Sequence, residues 1–242
     1  MKVIAIDLET TGLHHQNDRI RLISYFSDTE SGTTESVADV ARWLSDSSIV
    51  KVFHNALFDV SFLQSAGFET LNYIDTMIMA QVLEGNAADS YTLAALAKRY
   101  LNVKLDKQLQ HSDHWNDELT EEHRQYALRD AQTTFELYAV LQALLNEREL
   151  QDVNRREQGA LPIVREVAKN GLRLDVAGWK AELQKVSGEL NQVENQVRYQ
   201  LKDSTLNLHS HQQLKMALHK VGVMVDDVQE ATIRQVVHRH EA

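Results

Sequence analysis

The chain begins with an apolar run rich in β-branched residues, Lys2-Val3-Ile4-Ala5-Ile6-Asp7. Such a run is typical of a strand buried on both faces, which lies inside a sheet covered by helices. Further strands are predicted at residues 19–26, 33–37 and 49–53 and around Ile74. Helices are predicted at residues 37–44, 56–66, 76–83, 92–101 and 121–146, the last with Thr120 as N-cap. This order predicts an α/β fold, a mixed sheet flanked by helices.

The second part of the chain has an almost wholly helical pattern. Its only proline, Pro162, is expected near the start of a helix, which Asn170-Gly171 is expected to end. A long amphipathic helix is predicted over residues 179–202, and two shorter helices follow it. We therefore expect two domains, residues 1–148 and 149–242.

The amino-acid composition excludes several classes of function. The 242 residues contain no cysteine, which excludes disulfides and thiol chemistry and fits a protein of the cytoplasm. No apolar run is long enough to span a membrane. Residues 1–146 hold 11 Lys and Arg against 21 Asp and Glu, whereas residues 147–242 hold 14 of each. Because a generic nucleic-acid binder is basic, any nucleic acid must be held here by something other than bulk charge.

Asp7 and Glu9 form a D-x-E motif at the end of the first predicted strand. In an extended chain, residues i and i+2 point to the same side, so the two carboxylates converge on one point. An isolated D-x-E more often begins a loop, and by itself it indicates little about function.

Two pairs at helical spacing follow this motif. Asn55 and Asp59 lie four residues apart after an apolar strand, and Tyr126 and Asp130 lie four apart in the longest predicted helix of the first part. Each pair has an ordinary interpretation, a helix cap with a solvated acid or a surface pair. The order D-x-E, N-x-x-x-D and Y-x-x-x-D is far less expected by chance than any one motif.

Together with Asp7-Leu8-Glu9-Thr10-Thr11-Gly12-Leu13 and Asp75-Thr76-Met77, these motifs resemble the tyrosine-bearing subgroup of the DEDD 3′→5′ exonuclease superfamily. This subgroup includes ribonuclease D and the proofreading domain of bacterial family A DNA polymerases. The resemblance covers residues 1–146 and implies a ribonuclease H-like (DnaQ-like) fold. Residues 170–175 and 206–210 resemble the beginning of the family A polymerase region with its thumb helices, although His211 stands where a proline is usual.

The resemblance also implies two divalent metal ions, Mg²⁺ or Mn²⁺. Asp7 would contact both ions, Glu9 and Asp130 the ion that holds the nucleophilic water, and Asp59 the other. Four acids that share a pocket repel one another, and hard cations with oxygen ligands relieve the repulsion. Tyr126 would orient the water, because a phenol with a pKa of about 10 is a poor general base at neutral pH.

Substrate contacts follow from the same resemblance. Leu13 would act as an apolar wedge against the terminal base, and the backbone of Thr10 would lie near the 3′-hydroxyl. Asn55 and Phe58 would line the path of the last nucleotides. Ordinary core packing is the alternative for Leu13 and Phe58. Trp115 is expected either to stack on a base or to pack against a helix.

The expected activity is 3′→5′ hydrolysis of single-stranded or frayed DNA ends to 5′-monophosphates, in the service of proofreading. A ribonuclease D-like exoribonuclease stays open, because the motifs do not distinguish DNA from RNA and only the second part favours DNA. A non-catalytic module that docks a polymerase is the third alternative, but such a module is expected to lack some of the acids. The expected partners are single-stranded nucleic acid and a DNA polymerase, with no membrane.

Overall fold

The computed structural model of the protein describes residues 2–85, 87–105 and 115–240, which divide into two compact units, residues 1–171 and 172–242. The strands are β1 (Lys2–Thr10), β2 (Ile20–Phe26), β3 (Ser31–Thr34), β4 (Ile49–Phe53) and β5 (Tyr73–Asp75). The helices are α1 (Val37–Leu44), α2 (Ala56–Ser65), α3 (Thr76–Glu84), α4 (Leu93–Leu96), α5 (Glu121–Glu147), α6 (Gln151–Asn170), α7 (Val176–Gln200), α8 (His211–Lys220) and α9 (Glu230–His240). A π-helical turn, Ala97–Leu101, follows α4 directly.

The sheet has the strand order β3-β2-β1-β4-β5, with β1 at its centre. The strands β1, β2 and β3 form an antiparallel meander, and β4 and β5 run parallel to β1. Ile4, Ala5 and Ile6 in β1 have no exposed surface, as expected for a strand that is covered on both faces. The predicted mixed sheet with flanking helices and a helical second part is confirmed.

Alternation along β1 assigns its residues to two different layers. Even-numbered residues such as Ile4 belong to a core cluster with side chains of α1 and α2. The odd-numbered Ala5 belongs to a second cluster, to which Phe135 of α5 contributes. Since side chains alternate with a period of two, Asp7 and Glu9 lie on the face that α5 covers.

Helix α5 is held at its start and along its length. Thr120 is its N-cap, as predicted, and forms a capping box with His123, whose ring nitrogen accepts the Thr120 backbone N–H at 3.1 Å. Ala127 and Ala131 are fully buried, and their small side chains allow α5 to approach the sheet. The hydroxyl of Ser24 on β2 donates to the Ala127 carbonyl oxygen at 2.8 Å. This bond fixes the position of α5 along the sheet.

The position of Pro162 differs from the expected one. It was expected near the start of a helix, but it lies inside α6, which begins eleven positions earlier at Gln151. A proline within a helix removes one backbone hydrogen bond, at a cost of about 3 kcal/mol. The side-chain amide of Gln158 offsets part of this cost, because it accepts the Asp75 backbone N–H and donates to the Asp75 carbonyl oxygen, both at 2.9 Å. Helix α6 therefore belongs to the first compact unit.

The second unit consists of α7, α8 and α9 with their connections. Gly171 has a φ of 59°, and it ends α6 just before this unit begins. The domain boundary that we expect between residues 148 and 149 stays a prediction. No described helix combines the length and the apolar character that crossing a membrane requires.

Asp75, the last residue of β5, organises the part of the sheet edge nearest to α2 and α3. Its carboxylate is 1% exposed and accepts the backbone N–H groups of Asn55 at 3.0 Å, Ala56 at 2.8 Å and Met77 at 2.8 Å. One side chain thereby satisfies donors at the beginnings of two helices, which have no partners within the helices themselves.

We expect Asp75→Ala to lower the free energy of unfolding by about 3 kcal/mol, because one buried and two partly buried N–H groups lose their acceptor. The control is Asp46→Ala, which removes an exposed carboxylate that also accepts a backbone N–H, from Ser48 at 2.8 Å. Its expected cost is below about 1 kcal/mol. Urea unfolding of both variants measures the difference, and equal stabilities would contradict this role of Asp75.

Candidate active site

The site begins where the pairing of β1 changes. The parallel ladder between β1 and β4 ends at Ala5 and Val52, whereas the antiparallel ladder with β2 continues past Asp7 and Glu9. On its β4 side, the chain of β1 therefore extends beyond its neighbouring strand. Backbone groups at this position need other partners, and side chains can gather beside them.

Asp59 on α2 takes the place that β4 has left. Its carboxylate oxygen accepts the backbone N–H of Leu8 at 3.2 Å, and the side chain is almost fully buried. Because Asp59 lies in the first turn of α2, its position depends on where that helix starts. The helix start depends in turn on Asp75, which holds the N–H groups of Asn55 and Ala56.

Helix α5 contributes the third group of side chains, which lies next to Asp7, Glu9 and Asp59. Carboxylate oxygens of Asp7, Glu9 and Asp130 all lie within 4.8 Å of one another, a spacing that suits a shared cation. Tyr126 lies one turn before Asp130, close enough for the phenol and the carboxylate to shift each other's pKa. We call the cavity lined by these four residues and Asp59 the carboxylate cleft; its volume is about 470 Å³.

The acids of the carboxylate cleft resist ionisation. Burial raises the pKa of Asp7 to about 7 and that of Asp130 to about 8, and the negative charge of Asp7 contributes to the second shift. Burial also raises the pKa values of Glu9 and Asp59, and repulsion from the neighbouring carboxylates adds to both shifts. None of the ion pairs formed among the described residues includes any of these four acids. Neighbouring carboxylates whose ionisation is opposed by burial and by mutual repulsion are the chemistry of a cation site.

Tyr126 can donate a hydrogen bond, but it does not give up its proton at neutral pH. Burial raises the pKa of its phenol well above 10, and the charges of Asp130 and Glu9 raise it further. The hydroxyl is therefore protonated at neutral pH, and it can orient a bound oxygen but cannot act there as a base.

Asn55 and His54, which precede α2, differ in what their side chains contact. Asn55 is the N-cap residue of α2 in the left-handed region, with φ 68°, and its side chain makes no capping hydrogen bond. His54 is buried between Thr76 Oγ1 at 2.9 Å and the Tyr91 carbonyl oxygen at 3.0 Å, and burial lowers its pKa to about 4. A neutral ring that is held on both nitrogens fills space at the end of β4.

The residues expected to contact substrate have different environments. Leu13 is 74% exposed, so core packing is excluded for it. Thr10 is buried, and its hydroxyl donates to the Gly12 carbonyl oxygen at 2.6 Å. Asn55 and Phe58 line the carboxylate cleft, and the Phe58 ring packs at 4.8 Å from that of Phe62.

Some residues that line the carboxylate cleft were not assigned to the site from the sequence. Tyr91, Thr92 and Leu93, at and just before the start of α4, belong to no motif, and Met77 belongs to a motif that assigns it no role. Trp115 is buried against Leu22 and Ala127, which favours the packing interpretation over base stacking.

Solved structures with the same architecture are nucleases and a polymerase. The chain is similar to Brucella melitensis NrnC, at 26% identity and a TM-score of 0.63 over 70% of this chain and 85% of that one. NrnC has also been solved bound to pGG. The POL domain of Pol1 from M. smegmatis, in complex with DNA primer-template and dNTP, has a similar fold at 16% identity, with a TM-score of 0.71 over 98% of this chain and 41% of that one.

Comparison with known sequences also finds DNA polymerases and exonucleases. DNA polymerase I of Borreliella burgdorferi is 27% identical over 214 residues, which are 81% of this chain and 23% of that protein. The chain thus spans about a quarter of the length of this curated relative. A family profile described as 3′-5′ exonuclease, of the DNA polymerase A type, matches residues 1–146. Since this match covers more than half of the 242 residues, the chain belongs to the DNA polymerase A 3′-5′ exonuclease family and is a nuclease.

Proposed function

We propose that the protein removes nucleotides from the 3′ ends of single-stranded or frayed DNA as 5′-monophosphates, with two Mg²⁺ or Mn²⁺ ions. The observation that carries this proposal is the convergence of acids from β1, α2 and α5 in one cleft, where burial and mutual repulsion raise their pKa values. Proofreading for a DNA polymerase is the corresponding biological role.

Asp7, Glu9, Asp59 and Asp130 would hold the ions. Their oxygen ligands are the type that hard divalent cations prefer, and the raised pKa values reflect how poorly the cleft tolerates uncompensated charge. When bound, a pair of such ions supplies Lewis acidity that favours ionisation of water and neutralises charge on the phosphodiester. The order of the sheet holds the acids in place before any ion binds, since two of them belong to the central strand.

The remaining residues would position the reactants. Tyr126 keeps its proton and can donate a hydrogen bond to the attacking oxygen, beside the Asp130 carboxylate one turn away. Leu13 projects into solvent, where it could separate the terminal base from the next one. Phe58 presents an aromatic surface in the carboxylate cleft, Asn55 lies beside it, and the Thr10 backbone would contact the 3′-hydroxyl.

The likeness to DNA polymerase I over about four fifths of this chain favours DNA as the substrate and a polymerase as the partner. A second candidate, a 3′→5′ exonuclease for RNA or short oligonucleotides, is favoured by the likeness to NrnC, which has been solved with pGG. The non-catalytic docking module has no support here, because every acid of the motif set is present.

We expect Asp59→Asn to lower exonuclease activity at least about 100-fold, because the variant loses a cation ligand while its size is kept. Asp28→Asn, in the exposed turn between β2 and β3, is the matched control and should retain activity. Release of 5′-monophosphates from a labelled DNA oligonucleotide measures both variants. Wild-type activity in Asp59→Asn would remove Asp59 from the ion site.

We expect the metal-free protein to lose stability as pH rises from about 5 to about 8. Unfolded carboxyls have pKa values near 4, whereas those of Asp7 and Asp130 in the fold are about 7 and about 8. The folded state therefore binds more protons in this interval, and the stabilisation is fully present below about pH 4 and is lost as pH rises through the folded pKa values. Mn²⁺ or Mg²⁺ replaces those protons, so added ions should stabilise the protein more at pH 8 than at pH 5.

Urea unfolding with EDTA and with Mg²⁺, at both pH values, measures this dependence. Asp7→Asn is the control: it removes one titrating carboxyl and the charge that raises the pKa values of its neighbours, so the pH slope should flatten. Stability that rises with pH in EDTA would contradict the burial of these acids.

We expect faster digestion of DNA than of RNA when matched single-stranded oligonucleotides are compared, since the polymerase likeness extends into the second unit. Hydrolysis rates of labelled DNA and RNA of identical sequence decide the question. A blocked 3′-phosphate end on each strand is the control for polarity. Faster digestion of RNA would favour the second candidate, because discrimination depends on contacts to the 2′ position.

A further inference from the structure

We propose that a second cavity beside the carboxylate cleft binds a backbone phosphate of the single strand whose 3′ end is being cut. This inference rests on the proposed function. The cavity has a volume of about 760 Å³, and its lining includes Lys98 in the π-helical turn, Lys104 after it and Arg129 on α5. We call it the basic pocket.

Some cations of the first unit form ion pairs with carboxylates, and others do not. Arg99 pairs with Glu84 at 2.9 Å, and Arg124 pairs with Glu35 at 2.6 Å. By contrast, none of the ion pairs formed among the described residues includes Lys98, Lys104 or Arg129. Acids outnumber bases by 21 to 11 in residues 1–146, and yet three cations lie around this one cavity. Among the described residues, Arg129 interacts with the carboxylate of its neighbour Asp130, whose pKa it lowers. The mutual repulsion of the three cations is relieved by an anion.

The polar groups of the basic pocket suit a phosphate. Lysine ammonium groups bind phosphate oxygens as point charges, and an arginine can donate two parallel hydrogen bonds. The hydroxyls of Ser90 and Thr92 also line the cavity and can donate to an anion. None of these groups reads a base, so the contact would be independent of sequence.

The location of the basic pocket next to the carboxylate cleft favours a phosphate of a nucleic-acid strand over a free anion as its ligand. Thr92 lines both the basic pocket and the carboxylate cleft, and Arg129 directly precedes Asp130 on α5. The two cavities are therefore neighbours, with opposite charge. A strand whose last phosphodiester lies among the carboxylates must leave the cleft, and the basic pocket offers its next phosphates a favourable place.

The test compares Lys98→Gln/Lys104→Gln with Arg155→Gln/Lys169→Gln, which removes two exposed positive charges from α6. The substrates are a single-stranded DNA oligonucleotide and thymidine 5′-monophosphate p-nitrophenyl ester, a diester without a strand. We expect the first variant to raise KM for the oligonucleotide about tenfold with little change in kcat or in hydrolysis of the ester. The dependence of log(kcat/KM) on log salt should become shallower by about 0.7 for each phosphate that the variant no longer binds. The control variant should match wild type.

The possible failures are distinguishable. If wild type cleaves neither substrate with Mg²⁺ or Mn²⁺, the proposed function fails, and the pocket assignment fails with it. If wild type cleaves both and the two double variants have equal KM for the oligonucleotide, the pocket assignment alone is overturned. It is also overturned if the lysine variant changes inhibition by inorganic phosphate but not the KM for the oligonucleotide. All four side chains are exposed, so thermal melting should show folded variants.

Discussion

Mutual repulsion among buried carboxylates is the constraint around which the first unit is built. Asp7, Glu9 and Asp130 lie close enough to share a cation, and burial opposes the ionisation of each one. Such an arrangement costs stability, so other interactions must hold the segments together. The apolar residues of β1 on the same strand and the three hydrogen bonds to Asp75 supply that support without entering the cleft.

The geometry depends on two positions along the sheet. The ladder between β1 and β4 ends at Ala5, and Asp59 occupies the free backbone at Leu8. On the opposite side, Ser24 is paired with Asp7 in the β1–β2 ladder and also holds the Ala127 carbonyl of α5. One residue of β2 is thus in register with the central acid and with the helix that carries Tyr126 and Asp130. A shift of α5 by one residue would turn both side chains away from the cleft, since each residue rotates about 100° around a helix.

The sequence predicts most of the fold because its strands and helices have clear periods and clear ends, such as Thr120 at the start of α5. It predicts the acids because their spacing is local. It does not predict the role of Asp75, which comes from three backbone N–H groups at the beginnings of two helices. It also does not predict that α6 begins at Gln151, so that Pro162 lies in its interior. The third strand occupies Ser31–Thr34 instead of 33–37, because α1 already begins at Val37. The assigned site functions remain proposals.

The proposed phosphate site could not be predicted from the sequence either. Its cations are Lys98, Lys104 and Arg129, and no short motif joins a π-helical turn to a distant helix. Their placement also bears on how an acidic protein can bind a polyanion. Carboxylates with bound cations would attract the phosphate to be cut, whereas fixed cations would attract a neighbouring phosphate and need no metal. The two kinds of attraction respond differently to conditions: chelation abolishes only the first, and salt weakens chiefly the second, because its charges are exposed. Strand binding and cleavage would then be separable in this nuclease, although both cavities share Thr92.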